Sequence, residues 1–484
     1  METVNVGYET SLNEYVKQER TAVQLINSIG ELMFNKGIEL VLFRNHLVDI
    51  SISELIHLFN YAEKVVQKPI KIEEVNELVN ELKDLDLAPS KIDIGKLTHE
   101  FKAQKNENPS ISNFLNVQLI NLLGQDKHQF APQDVVLYGF GRIGRIAARE
   151  LIKQAGKGQQ LRLRAIVLRK VDEFQIEKRA ALLRNDSVHG SFNGSIIEDY
   201  ESKALIINGQ RVQLIQATNP EDIDYTSYGI NNALVIDNTG VYRDREALSR
   251  HLISKGTSRV LLTAPGNEVP NIVYGINHQK LDVEDENIFS AASCTTNAIS
   301  PVLKVIEDKF GVESGHIETI HAYTNDQNLL DNFHKKPRRG RSAAINMVIT
   351  NTGAGKAVTK VIPSLAGKLT SNAVRVPTPN GSLAIIKLTL KNEASKEDIN
   401  ELVRNAAING DLVNQIKYEI NKELVSNDII GNVCASVFDS TATLTSENGK
   451  NCVLYCWYDN EFGYTKQVIR IAKFITKVRR LIYY

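Results

Sequence analysis

The stretch SAASCTTNAIS, residues 290–300, sets Cys294 among small and hydroxylic residues. The run that follows places Ile299, Val302, Leu303, Ile306 and Phe310 at helical steps and stops at Gly311. Cys294 is therefore expected at a helix N-terminus, where unpaired N–H groups and the helix dipole favour thiolate over thiol. A nucleophilic thiol also needs a base. HIETIHAYTND supplies His321 near the exit of a strand-like run, while His316, five residues earlier, points to the opposite face. Counted bare, a lone cysteine and a lone histidine are more often structural. The helix-start position and the hydroxyls beside the thiol turn the reading toward covalent catalysis.

Those hydroxyls come in groups. Ser293 and Thr295 flank the thiol, Thr324 follows His321, and Thr352 with Gly353 lies in TNTGAGKAV. Arg375 stands in NAVRVPTPNG. Threonines, backbone N–H groups and an arginine make an anion site, and two such clusters near one thiol would hold two phosphates.

A second site precedes the thiol in the chain. DVVLYGFGRIGRIAARELI carries Gly139, Phe140, Gly141, Arg142, Ile143 and Gly144 between a β-branched run and a helical one, the context a dinucleotide-binding turn requires. Gly139 allows the tight turn, Gly141 the approach of a pyrophosphate, and Gly144 close helix–strand packing. An acid that binds the adenosine ribose should end the next strand. LRAIVLRKVDEF ends instead in Leu168-Arg169-Lys170. An arginine in place of the acid favours a 2′-phosphate, so NADP, or mixed NAD and NADP use, enters the reading.

The elements that must position these groups follow from texture and charge. The chain has 484 residues, 42% hydrophobic and 24% charged, with zero net charge, so no basic excess points to nucleic acid. Residues 1–130 hold 13 basic and 19 acidic residues, and the remainder carries a net charge of +6, which suits anionic ligands. No apolar run reaches the roughly 18 residues of a membrane span. METVNVGYET has neither a basic nor an apolar leader segment, so the expected location is cytoplasmic. Four cysteines make no disulfide framework, and Cys452 and Cys456 read as packed core on one face of a strand; no metal site is read.

Residues 1–130 read as an all-helical extension. Ser51 and Glu54 have capping-box spacing ahead of Leu55 and Phe59; Ile72, Val75, Val79 and Leu82 repeat the helical pattern, as do Ile111, Phe114, Leu115, Leu119 and Leu122. HEFKAQKNENPS (99–110) reads as a linker and GQDKHQFAPQD (124–134) as a boundary. Residues 131–293 alternate short strands with helices, the rhythm of a Rossmann-type parallel sheet. Residues 294–460 read as an α+β catalytic domain with a mostly antiparallel sheet, and 461–484 as a C-terminal helix packed back on the dinucleotide-binding domain.

From about residue 133 onward the chain resembles phosphorylating glyceraldehyde-3-phosphate dehydrogenase. GFGRIGR, NDSVHG, NTGVY, TAPG, SCTTN, HAYTNDQ, TGAGKAV, RVPTPNGS and WYDNEFGY occur in that family's order and with similar spacing. The resemblance implies Cys294 as nucleophile and His321 as base. It implies Ser293, Thr295, Thr352 and Gly353 for inorganic phosphate, and Thr324, Asp326 and Arg375 for the phosphate of the aldehyde. It implies Asn460 and Tyr464 beside the nicotinamide, and Phe140, Gly141, Arg142, Ile143, Thr239, Gly240 and Thr263 as cofactor contacts. Arg341 is carried as a phosphate-binding candidate from the basic loop KKPRRGR, where the individual roles of Arg338, Arg339 and Arg341 stay open. A homotetramer is the expected assembly.

Three features depart from the family pattern: the missing second-strand acid, Asn332-Phe333 where NAD-specific members carry Leu-Pro, and the long front end. Two other readings compete. One is an erythrose-4-phosphate dehydrogenase with the same thiol chemistry. The other is a regulatory or scaffold protein whose helical extension binds a partner.

Overall fold

The computed structural model describes residues 2–104, 110–124, 131–156 and 159–484, with side chains from residue 7 onward. Of the expected linker, residues 99–104 instead complete helix Ile94–Gln104, and 105–109 lie outside the described residues, as do 125–130 of the expected boundary. The chain divides into two compact units. The first comprises residues 1–131, 156–159 and 478–484, and the second comprises 132–155 and 160–477.

The first unit is built on helix Glu2–Glu31, with helices Ile52–Tyr61, Ile72–Asp84, Ile94–Gln104 and Ile111–Gln118. Ser51 and Glu54 form the expected capping box, and Leu55, Val75, Val79 and Leu82 are fully buried. The expectation of an extension helical throughout needs correction, because a four-stranded sheet runs through it. Its order is Asn45–His46, Glu39–Leu42, Ser90–Asp93, Leu481–Tyr483, and the last of these comes from the other end of the chain. Gly37, at φ +69°, ends the helical run before it, and the buried run Ile38–Leu42 is too short and too apolar on both faces to be a helix of its own. The carboxylate of Asp93 accepts from the Phe43 and Arg44 amides at 2.8 and 3.0 Å and so fastens the hairpin turn.

In the second unit, an eight-stranded sheet has the order Ile288–Ser290, Thr257–Leu262, Ala233–Asp237, Gln133–Tyr138, Leu161–Leu168, Gln210–Gln216, Ala204–Ile207, Ile196–Asp199. Its first six strands run parallel. Gln133–Tyr138 lies at the point where strand order reverses, so its C-terminal end opens into the crevice where such sheets bind ligands. A second, mostly antiparallel sheet follows, centred on Val312–Ala322, Ser382–Leu390 and Asn451–Tyr458. Cys452 and Cys456 are buried on one face of that last strand, and burial pushes each thiol up to about 12. Helix Phe462–Ile475 lies against helix Arg142–Lys153, tied by a buried Lys466–Glu150 pair at 2.6 Å. The expected C-terminal segment is thus divided: its helix stays in the second unit, and residues 478–484 belong to the first.

Candidate active site

The glycine turn is built as its spacing requires. Gly139 holds φ +90°, and a Cβ there would lie 2.9 Å from the Thr239 methyl. A Cβ on Gly144 would lie 2.5 Å from the Gly139 carbonyl oxygen, so only glycine permits this helix–strand contact. Gly141 is the N-cap of helix Arg142–Lys153 and faces open space, with free backbone N–H groups behind it. A cavity of about 270 Å³ is lined by Gly139, Phe140, Gly141, Arg169, Thr239 and others. A helix N-terminus, an approachable backbone and a concave wall fit a dinucleotide pyrophosphate.

The Arg142 side chain is engaged elsewhere. Its guanidinium forks onto Asp186 at 3.0 Å and also onto Glu461, which in turn meets His189 at 3.0 Å. Against the burial that would raise it, hydrogen bonds from Arg142 and from backbone amides hold Asp186 well below the usual carboxylate range. Arg142 thus joins the glycine turn to the start of helix Phe462–Ile475, leaving its backbone, not its guanidinium, for a phosphate. Ile143, on the same first turn, is half-buried. Thr239 bonds the buried Asp237 carboxylate at 2.7 Å, Gly240 is left-handed at φ +64°, and Thr263 donates to the Asp237 carbonyl at 3.0 Å.

Cys294 opens helix Cys294–Phe310. The residue two before it, Ala292, is held at φ +54°, a left-handed conformation costly for a residue with a Cβ, and its carbonyl accepts from the Tyr464 hydroxyl at 2.9 Å. Ser293 is the N-cap, accepting from the Thr296 amide at 3.0 Å. The Thr295 hydroxyl pairs with that of Tyr458 at 3.0 Å. The Cys294 sulfur lies 3.6 Å from Nε2 of His321, which reaches it from the end of strand Val312–Ala322. His316, on the other face, is occupied by Thr370 and Asn372.

Nδ1 of His321 lies 2.7 Å from the Ala322 carbonyl; a proton on Nδ1 bonds there and leaves the Nε2 lone pair facing sulfur. Arg375 donates to the same carbonyl at 2.7 Å and sits equally close to Nδ1. Burial first, and the charge of Arg375 second, push His321 down to about 3. Burial also pushes the Cys294 thiol up, opposed by Arg375 and by hydrogen bonds involving Thr295. Burial thus works against ionisation of the Cys294 thiol, while Arg375 and the hydrogen bonds involving Thr295 work for it.

The phosphate candidates divide. Thr324 donates to Asp326, which pairs with Arg339, and the Arg339 guanidinium also reaches Thr350 at 3.2 Å. The charges of Arg339 and Asp326 both bear on His321 and Arg375. Arg375 keeps a buried Nε without a hydrogen-bond partner among the described residues. Thr352 and Gly353 begin helix Ala354–Val361, with Gly353 as its N-cap. Arg341 does not join them: it forms an exposed pair with Asp331 at 2.9 Å. Arg339 is the buried arginine of that loop and takes its place in the cluster. Asn460 is buried, and its Oδ1 accepts from Ser382 at 2.8 Å, which orients the amide. Tyr458, Ser382 and Ala292 were not legible as site residues, since each acts through contacts 78–172 positions away.

A parallel sheet with a phosphate-binding turn, joined to a second sheet that presents a thiol and its base, is the layout of a dinucleotide-dependent oxidoreductase. Residues 133–245 match the family model described as glyceraldehyde 3-phosphate dehydrogenase, NAD binding domain, and residues 293–460 match the one described as the C-terminal domain of the same enzyme. A glyceraldehyde-3-phosphate dehydrogenase-like protein of Pseudomonas aeruginosa is 48% identical over 453 residues, covering 93% of this chain and 97% of that protein. Glyceraldehyde-3-phosphate dehydrogenase of Clostridium pasteurianum is 37% identical over 351 residues, 72% of this chain and 99% of its own length. Glyceraldehyde-3-phosphate dehydrogenase 1 of Bacillus subtilis is 38% identical over 344 residues, 71% of this chain and 98% of its own. The chain belongs to the glyceraldehyde-3-phosphate dehydrogenase family. It is an oxidoreductase with an NAD-binding domain, and among the described residues no helix is long and apolar enough to cross a membrane.

Proposed function

We propose that the chain oxidises and phosphorylates D-glyceraldehyde 3-phosphate to 1,3-bisphosphoglycerate, or runs the reverse reaction, by covalent catalysis through Cys294. The observation that carries this reading is the 3.6 Å approach of the Cys294 sulfur to His321 Nε2, with Arg375 and Arg339 gathered beside it. His321 takes the thiol proton as sulfur adds to the aldehyde carbon, and passes it to the carbonyl oxygen, which becomes the hemithioacetal hydroxyl. It then takes that hydroxyl proton as hydride leaves carbon, forming the thioester. NAD, when bound, supplies the hydride acceptor. Inorganic phosphate attacks the thioester carbon and the C–S bond breaks; sulfur takes back the proton held on His321, the phosphate's own proton passes to solvent, and acyl phosphate departs from the regenerated thiol.

In this reading, Thr324 and Arg375 donate to the aldehyde's phosphate, Asp326 holds Thr324 and Arg339 in place beside it, and Ser293, Thr295, Thr352, Gly353 and Arg339 form the second anion site. Asn460 and Tyr464 flank the nicotinamide. Arg169, standing where an acid would exclude it, supports use of NADP as well as NAD. Leu329, Leu330, Phe333, Ile345, Met347 and Ile349 are all strongly exposed within one loop region, which supports a homotetramer that covers them. Four free cysteines fit a reducing cytoplasm.

Initial rates with glyceraldehyde 3-phosphate, with and without inorganic phosphate, test the proposal. Phosphate-dependent reduction of NAD or NADP is expected. Rates indifferent to phosphate, or a higher kcat/KM for erythrose 4-phosphate, would overturn it.

A further inference from the structure

We propose that Arg179, together with Arg169, forms a subsite for the 2′-phosphate of NADP at the adenosine end of the glycine-turn cavity. The inference rests on the dinucleotide reading of that cavity and deepens it by assigning a residue that discriminates between cofactors. Arg169 follows strand Leu161–Leu168 directly, and Arg179 projects from the next helix, Glu173–Arg184; both line the cavity. None of the lining residues is a carboxylate.

An unphosphorylated ribose is ordinarily held by an acid in this region, and the same acid repels a 2′-phosphate. Here the charges have the opposite sign. Nε of Arg179 is buried and has no hydrogen-bond partner among the described residues. A guanidinium N–H left unpaired costs free energy, and an anion that the Arg179 side chain turns to meet recovers it. The nearby acid, Asp172, does not line the cavity: it caps the helix by accepting from Gln175 at 2.8 Å, and pairs with Lys170 at 2.7 Å. Two guanidinium groups lining one cavity supply the charge and the donors that a phosphate dianion needs.

The test uses the full chain and two fragments, 2′,5′-ADP and 5′-AMP, which differ only in the 2′-phosphate. Calorimetric titration of each needs neither aldehyde nor thiol, so its outcome is independent of the catalytic reading. The 2′,5′-ADP is expected to bind at least about tenfold more tightly than 5′-AMP, a preference that shrinks as salt is raised. Arg179→Gln is expected to cut that preference about tenfold while leaving 5′-AMP within twofold, and Arg179→Lys to retain part of it. Equal binding of the two fragments by the unaltered protein overturns the proposal, whatever the variants do. So does an Arg179→Gln protein that loses affinity for both fragments alike, since that assigns Arg179 to the adenosine or to the fold.

Discussion

The two compact units use polar groups in opposite ways. In the second, polar side chains converge on one place: Cys294, His321, Arg375, Arg339 and Asp326 meet there, and Arg375 keeps a buried Nε without a hydrogen-bond partner among the described residues. In the first, the conspicuous polar contacts close on themselves. Asp93 is filled by three backbone amides, Tyr483 by Glu100 and Gln118, and Glu39 by His46, Lys91 and Arg480. Relatives of Clostridium and Bacillus match along nearly their whole length and cover 71–72% of this chain, whereas the Pseudomonas protein matches across 93% of it. The thiol beside its imidazole marks where chemistry is done, and the closed clusters around Asp93, Tyr483 and Glu39 hold a fold together. Changes in the second unit should therefore move rates, and changes in the first should move stability.

The largest effect is expected at the thiol. Cys294→Ser should lower turnover by at least about 10³-fold while calorimetry still detects cofactor binding and the melting temperature barely moves. Substantial phosphate-dependent turnover in that variant would sink covalent catalysis through sulfur.

His321→Asn should cost about 10²–10³-fold in kcat/KM. The pH dependence gives the sharper result. With His321 at about 3, its imidazole is already neutral throughout the range above pH 5, and its capacity as base is lost only as pH falls toward that value. Cys294, pushed up by burial, ionises progressively as pH rises. Alkylation of Cys294 by iodoacetamide in the free enzyme should thus climb continuously from pH 6 to 9, with no step near the ordinary histidine value of about 6.5. A plateau already reached at pH 6 would mean a resting thiolate–imidazolium pair.

Much of this site could be read in one dimension because its parts are local. The three glycines act within a single turn, and Cys294 declares itself by the helix that follows it. What escaped was nonlocal. Asp186 and Glu461 take the Arg142 guanidinium from 44 and 319 positions away. Arg339 and Arg341 share one basic loop, and only packing shows that the first is buried on Asp326 and the second exposed on Asp331. The sheet of the extension escaped for the same reason, since its fourth strand, Leu481–Tyr483, lies nearly 400 residues from its partner Ser90–Asp93.

That strand gives the third test. Removing residues 478–484 strips the sheet edge, the buried Val478 and Arg480, and the Tyr484 ring stacked 3.8 Å from Arg44. A loss of about 2–4 kcal/mol in the first unit is expected, read as faster amide exchange in residues 38–42 and 90–93. Unchanged protection there would show that the extension holds its fold without the C-terminal strand.

The smallest effect makes the cleanest contrast, because one substitution can be placed in both units. Ser51 and Ser293 are both N-caps, accepting from the amide three residues on at 3.2 and 3.0 Å. Either serine changed to alanine should cost about 1 kcal/mol, the usual worth of such a cap. Ser51 heads an exposed helix in the first unit, so Ser51→Ala should lower stability and leave every rate unchanged. Ser293 heads the helix that begins with Cys294, and loosening that first turn shifts the sulfur relative to His321. Ser293→Ala should therefore lower stability by a similar amount and also slow alkylation of Cys294. Equal kinetic silence in both variants would mean that sulfur is aimed by the left-handed Ala292 and its Tyr464 contact alone, and that the cap serves the helix only.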